Sequence, residues 1–254
     1  MIFETILFEV NDRVGYLAFN RPKVRNAINM KMIDEVELVV GEIQRHGNVD
    51  VLLITGTNHS FCVGADTTDF LNMTVEENQL FLNQFGKMVK NIENLSIPVI
   101  GVINGYAFGG GAEIALACDF RIASPQASFR FPGASYGLVV SSRNLPVIVG
   151  ASKAKELIFR SCVVSSEEAY RIGIVDQLIE EQELDAYAKK VAREILGNSM
   201  TAVKKVKEAI NLGVGTSMER RMEIENAAND YLVHQTNYRE TFSSFVDQRK
   251  KRKV

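Results

Sequence analysis

The chain has 254 residues, 46% of them hydrophobic and 24% charged, which excludes a disordered protein and supplies apolar material for a full core. A formal net charge of −2 argues against nucleic acid as the main partner. Three cysteines, Cys62, Cys118 and Cys162, are too few and too far apart for a disulfide framework or a metal site. No apolar run approaches the ~20 residues that cross a bilayer. The first ten residues carry Glu4 and Glu9 and no basic stretch, unlike a secretion signal, so a cytoplasmic protein is expected.

Residues 2–10 and 14–19 read as two strands joined at Asn11-Asp12. Asn29 then caps a predicted helix with apolar positions at Met32, Ile33, Val36, Val39, Val40 and Ile43, a helical spacing. Residues 49–55 read as a buried strand, followed by a loop over 56–66. Thr74 with Glu77 fits a capping box, and Leu80, Phe81, Phe85, Met88, Val89 and Ile92 form the stripe of the helix behind it. The β-branched run that starts at Ile97 reads as a buried strand ending in the turn Gly109-Gly110-Gly111, with a helix-compatible run over 113–118. Residues 120–123, 128–131 and 175–179 are short strand candidates, and 152–160 and 165–171 look helical. From 181 onward only helices are predicted, over 181–196, 201–212, 218–234 and 238–249. The pattern predicts an α/β core over residues 1–196 and a helical module over 197–254. Apolar positions such as Ile224, Ala227, Tyr231, Phe242 and Phe245 fit packing on another subunit. The basic run 249–253 reads as a solvated end or as an anchor for phosphate.

Two turns invite chemistry. Ser60-Phe61-Cys62-Val63-Gly64-Ala65-Asp66 follows one buried strand and Gly109-Gly110-Gly111 follows another. Each puts small residues where a backbone N–H can face a ligand, because a helix start leaves N–H groups unpaired and glycine allows close approach. Two such groups can clamp one developing oxyanion, and Glu113 adds an ionisable group three residues after Gly110. Taken singly, either turn reads as an ordinary tight turn. The glycines do not match a dinucleotide fingerprint or a phosphate-binding loop, which disfavours nicotinamide and nucleotide enzymes. His46, His59 and His234 show no metal-ligand spacing; His59 could approach a ligand but reads first as a solvated loop residue. Cys62 and Cys118 read as small packing residues.

These pieces resemble the crotonase superfamily, the enoyl-CoA hydratase/isomerase family, over nearly the whole chain. The matching residues are Phe19-Asn20-Arg21-Pro22 with Arg25-Asn26-Ala27, then Phe61 to Asp66, then Asn104-Gly105 with Gly109 to Glu113. Ala117-Cys118-Asp119-Phe120-Arg121-Ile122-Ala123, Ala169 to Asp176 and Phe245 to Lys250 complete the match. The resemblance implies an α/β crotonase fold: a spiral of ββα units with a helical C-terminal trimerisation module. It also implies an acyl-CoA thioester ligand, with coenzyme A as part of the substrate and neither a separate cofactor nor a metal. A homotrimer, often paired into a hexamer, is implied as well.

By position, Ala65 and Gly110 would supply the oxyanion-hole N–H groups. Arg25, Ala27, Val63 and Asp66 would line the CoA path, and Glu113 would act as acid/base. The chain departs from the pattern at one wall. Gly133 stands where hydratases of the family carry a second glutamate, and Val139-Val140-Ser141-Ser142-Arg143-Asn144-Leu145 replaces a glycine-rich run. Tyr136, Ser135, Ser141 and Asp69 are candidate substitutes, with Tyr136 read first as a wall aromatic. Three readings stay open: an enoyl-CoA hydratase, a double-bond isomerase or decarboxylase of the same fold, and a weakly catalytic acyl-CoA-binding subunit.

Overall fold

The computed structural model describes residues 2–235 together with 238, 239, 242, 243 and 246. Strands β1 (Ile6–Asn11) and β2 (Val14–Phe19) form an antiparallel hairpin. Its turn is made by Asp12 (φ 47°) and Arg13 (φ 66°), both left-handed, which matches the twist of a two-residue hairpin. The first strand starts at Ile6, later than its apolar pattern predicts. The N–H groups of Glu4 and Thr5 bond to the carboxylate of Glu35 at 2.9 and 2.8 Å instead of joining the sheet.

Helix α1 (Met30–His46) starts where Asn29 Oδ1 accepts from the Met32 N–H at 3.0 Å and stops at Gly47 (φ 59°). It buries the predicted stripe from Met32 to Ile43. Strand β3 (Val51–Gly56) follows, then the short helix α2 (Thr67–Asn72) and α3 (Val75–Glu93). The capping box of α3 forms in both directions, with Glu77 N–H on Thr74 Oγ1 at 3.2 Å and Thr74 N–H on Glu77 Oε2 at 2.7 Å.

Strand β4 (Val99–Ile103) does not run straight into a helix. The chain turns at Asn104-Gly105 and enters β5 (Tyr106–Phe108), a strand of a second sheet, before α4 (Gly110–Ala117) begins. Strands β6 (Phe120–Ala123) and β7 (Ser128–Arg130) follow. After a 3-10 turn over Gly133–Tyr136 come α5 (Leu145–Val149), α6 (Ala151–Arg160), β8 (Val163–Ser165), α7 (Ser166–Arg171), β9 (Gln177–Leu178) and α8 (Glu181–Leu196).

The large sheet has the order β1-β2-β3-β4-β6-β9 and is parallel beyond the first hairpin; the small one has the order β5-β7-β8. Buried Leu52, Ile54, Val99 and Ile103 share one core cluster with the apolar faces of α1 and α3. Phe19 and Phe61 meet edge to face at 5.5 Å within it. Arg121, 5% exposed, closes the end of α4 by donating to Cys118 O at 3.0 Å and to Ile174 O at 2.5 Å.

The chain divides into two units, Met1–Ala192 and Arg193–Val254, a division that falls inside α8. The first holds both sheets. The second contains α9 (Met200–Gly213) and α10 (Met218–Gln235), which pack on each other and leave Val206, Ile210, Leu212, Met218 and Met222 exposed. Ala227 is also exposed and Ile224 half-buried. Most of the predicted helix over 238–249, Phe245 included, and the basic run 249–253 lie outside the described residues.

Candidate active site

The entry to α4 is built from backbone. Gly109 sits at φ 50°, ψ −118°, its N–H donating to Arg130 O of β7 at 2.9 Å and its carbonyl accepting from Glu113 N–H at 3.0 Å. Gly110 is the first helical residue, and its N–H finds no acceptor among the described residues, as expected at a helix start.

The opposing turn, residues 62–66, is held from two sides. Cys62 N–H donates to Tyr106 O at 2.8 Å, and Phe108 N–H donates to Cys62 O at 2.9 Å. On its other side Ile28 N–H reaches Gly64 O and Asp66 N–H reaches Ile28 O, both at 2.8 Å. Extended backbone alternates the direction of its N–H groups, so with Asp66 bonded to Ile28 the Ala65 N–H points away from Ile28.

The two turns touch through Gly64. A Cβ placed there (φ 91°) would stand 2.9 Å from Phe108 O, closer than real side chains come, and 3.1 Å from Gly110 N. The fold thus brings the Ala65 and Gly110 segments together, with a bare α-carbon between them.

Glu113 lies in the first turn of α4, three residues past Gly110, half-buried among apolar neighbours. Burial pushes its carboxyl pKa up. The Ser141 N–H, which donates to Oε1, the positive charge of Arg143 and the nearby Ser141 hydroxyl pull the other way, and burial wins. A carboxylate with raised proton affinity, held by one N–H, suits proton transfer.

Gly133 is buried, and a Cβ there would come within 2.4 Å of Val140 Cγ2 and 2.9 Å of Leu138 O. The space at that wall is taken by the next loop, not left open.

The family model for enoyl-CoA hydratase/isomerase matches residues 9–253. The chain belongs to that family. It is 35% identical to the crotonyl-CoA hydratase of Syntrophomonas wolfei over 254 residues, covering 98% of each chain. To the short-chain-enoyl-CoA hydratase of Clostridium acetobutylicum it is 34% identical, covering 98% of this chain and 97% of the other. The crystal structure of an enoyl-CoA hydratase from Bacillus anthracis superposes with a TM-score of 0.93 at 28% identity, covering 96% and 97%. The crotonase fold expected from the motifs is therefore the fold of this chain.

Within this family member, two of the residues expected along a CoA path, Ala27 and Asp66, are both bonded to Arg21. Ala27 is buried, and its carbonyl accepts from Arg21 Nη1 at 2.6 Å. Asp66 caps α2 and pairs with Arg21 at 3.1 Å, tying the 21–27 segment to the 63–66 turn. Arg25 (φ 51°) is exposed, its guanidinium 5.3 Å from the Tyr106 ring centre. Val63 is half-buried.

Tyr136, expected at the wall, is 63% exposed at the end of its 3-10 turn. The Ser135 hydroxyl donates to Pro132 O of its own turn at 2.7 Å. Asp69 sits in the first turn of α2. Of the four candidate substitutes, Ser141 alone bonds to Glu113 among the described residues.

Asn26 enters the motif between Arg25 and Ala27 without a role of its own. It is fully buried at φ 59°, donates to Thr57 O and Ser60 O, and accepts from Arg21 N–H. A polar residue inside a Pro-containing turn was the available signal. His59 pairs with Glu181 at the rim of a separate cavity of about 670 Å³, lined also by Tyr16, Thr55 and Asn104. Cys62 is fully buried, its thiol pushed up to about 12 by burial and so inert as a nucleophile. No group of three His, Cys, Asp or Glu side chains able to hold a metal occurs among the described residues, and no helix there is long and apolar enough to cross a membrane.

Proposed function

We propose that this protein adds water across the C2–C3 double bond of a short-chain enoyl-CoA thioester. The observation that carries the reading is Glu113, a carboxylate of raised pKa one turn beyond the free Gly110 N–H. The names of the two relatives at 34–35% identity favour a short acyl chain.

In this reading the thioester oxygen sits between the N–H groups of Ala65 and Gly110. Glu113 takes a proton from water as the water oxygen bonds to C3. The electron pair of the double bond moves into the enolate, whose oxygen gains charge between the two donors, each worth ~3–4 kcal/mol in the transition state. Glu113 then returns the proton to C2. Arg25, Ala27, Val63 and Asp66 flank the CoA arm. Coenzyme A enters as part of the substrate, and no separate cofactor takes part. The exposed apolar residues of α9 and α10 support assembly as a homotrimer, with trimers pairing into hexamers; light scattering of the purified protein tests that mass.

The single carboxylate Glu113 carries a second reading, although isomerases of the family more often use the position that is Gly133 here. With one carboxylate at the wall, shuttling a single proton between C2 and C4 is also feasible, which would make the protein a double-bond isomerase. Crotonyl-CoA and a 3-enoyl-CoA separate the two. A hydratase consumes the conjugated thioester absorbance of crotonyl-CoA, an isomerase creates that absorbance from the 3-enoyl ester, and a decarboxylase releases CO₂ from a carboxyacyl-CoA. Binding of CoA esters with none of these turnovers defeats the enzymatic reading.

A further inference from the structure

A lone carboxylate that activates water needs a fixed rotamer and a second group to hold the water in line. The position where a second acid is expected is Gly133, and the loop behind it closes that space. Val140 packs onto Gly133, and the next residue, Ser141, turns back to Glu113.

Ser141 is an unusual residue for its place. It is 3% exposed and sits at φ 61°, where glycine is favoured and a β-carbon is strained. Its N–H donates to Glu113 Oε1, a bond that glycine would make equally well. Its hydroxyl oxygen is buried and has no hydrogen-bond partner among the described residues. That hydroxyl lies close enough to the Glu113 carboxyl to favour its ionised form, and no atom among the described residues completes a hydrogen bond of good geometry with it. Buried hydroxyls are satisfied by protein or by water. Here the missing partner falls beside the acid/base itself.

We infer that Ser141 is the second water-handling residue of this site, standing in for the carboxylate that Gly133 lacks. Its N–H holds Glu113, and its hydroxyl hydrogen-bonds the water that Glu113 deprotonates. The water oxygen bonds to C3, one water proton passes through Glu113 to C2, and the other stays on the new hydroxyl. Ser141 keeps its own proton throughout. The wall is thus one methyl-bearing side chain and one hydroxyl, an arrangement that suits a small unbranched acyl group at C3. The inference rests on the hydratase reading above.

Two variants test it on the full-length enzyme with crotonyl-CoA. Ser141→Gly keeps the N–H, removes the hydroxyl and relaxes the left-handed backbone. It is expected to lower kcat by ~10–100-fold with KM within about twofold, while Tm stays level or rises by about 2–4 °C. Ser141→Ala is expected to lose the same factor in kcat while Tm does not rise, because the strain remains. A merely structural serine predicts the opposite pairing, with activity following stability. Full kcat in Ser141→Gly overturns the role of the hydroxyl and leaves Glu113 standing. A wild type that does not hydrate crotonyl-CoA, or a Glu113→Gln variant with unchanged kcat, overturns both readings.

Discussion

The two halves of the candidate site are built by different means. Residues 62–66 and 105–111 are held by main-chain hydrogen bonds to β5, β7 and the segment around Ile28, with distances of 2.8–3.3 Å. At the points of closest approach, Gly64, Gly105 and Gly111, a side chain is absent and has no room. Residues 133–143 pack through side chains, Val140 onto Gly133, with the Ser141 N–H on Glu113. A backbone-built half tolerates almost no substitution but asks little of residue identity beyond smallness. A half built from side chains can change its chemistry one residue at a time while the fold stays the same. The family resemblance is accordingly complete in the first half and breaks in the second.

The sharpest test removes the group that both halves serve. Glu113→Gln is expected to lower kcat for crotonyl-CoA hydration by ~10²–10⁴-fold, with Tm unchanged or raised because a buried charge is lost. Absorbance of the conjugated thioester and a thermal melt check both.

On the backbone side, Gly64→Ala forces a Cβ against Phe108 O and Gly110 N at a left-handed φ. A fall of ~10²–10³-fold in kcat/KM is expected if one oxyanion donor is displaced. Val140→Ala, on the other side, is expected to stay within about tenfold and to change acyl-chain preference instead. Equal losses from the two substitutions would erase the contrast.

Restoring an acid by Gly133→Glu is expected to fail, because Val140 Cγ2 stands 2.4 Å from the new Cβ. The overpacking should cost about 1–3 kcal/mol of stability with no gain in rate. Adding Val140→Gly should recover part of the loss in a denaturant melt.

The smallest effects are in pH. Glu113 ionises above its ordinary value of 4.5 because it is buried, so the acid limb of the kcat/KM profile should lie above that value. Its contribution to stability has the matching sign. The folded state binds this proton more tightly, so stability falls as pH rises from 4.5 through the folded pKa. Glu35 behaves in reverse. Burial alone would raise it, but hydrogen bonds from Glu4 and Thr5 outweigh burial and hold it below 4.5. Its stabilisation is present above 4.5 and is lost as pH falls through the lowered value. Glu35→Gln should flatten that acid loss in melts recorded from pH 7 to pH 3, and an unchanged slope would remove Glu35 from the account.

Local signals carried the elements that depend on local chemistry. Asn29, Thr74 with Glu77, and the stripe from Met32 to Ile43 specify caps and faces within one or two turns of chain. The run from Ile97 to Glu113 was legible as strand, glycine turn and helix start, but β5 inside it was not. Three residues carry no period, and their partners lie at Cys62 and Ser128–Arg130, far along the chain. The start of β1 was misplaced for the same reason, because Glu35 competes for the backbone of Glu4 and Thr5 from 31 and 30 residues away.

Read alone, the amino-acid order determined the family, the alternation of strands and helices, and the presence of one carboxylate after a glycine turn. These depend on residue type and spacing, which a linear chain carries in full. Only the tertiary structure decided that Gly64 lies against Gly110, that Val140 fills the place beside Gly133, that Tyr136 faces outward and that Ser141 meets Glu113. Those are contacts between segments separated by about 7 to 46 residues, and loop closure under close packing, not local preference, sets which of them form.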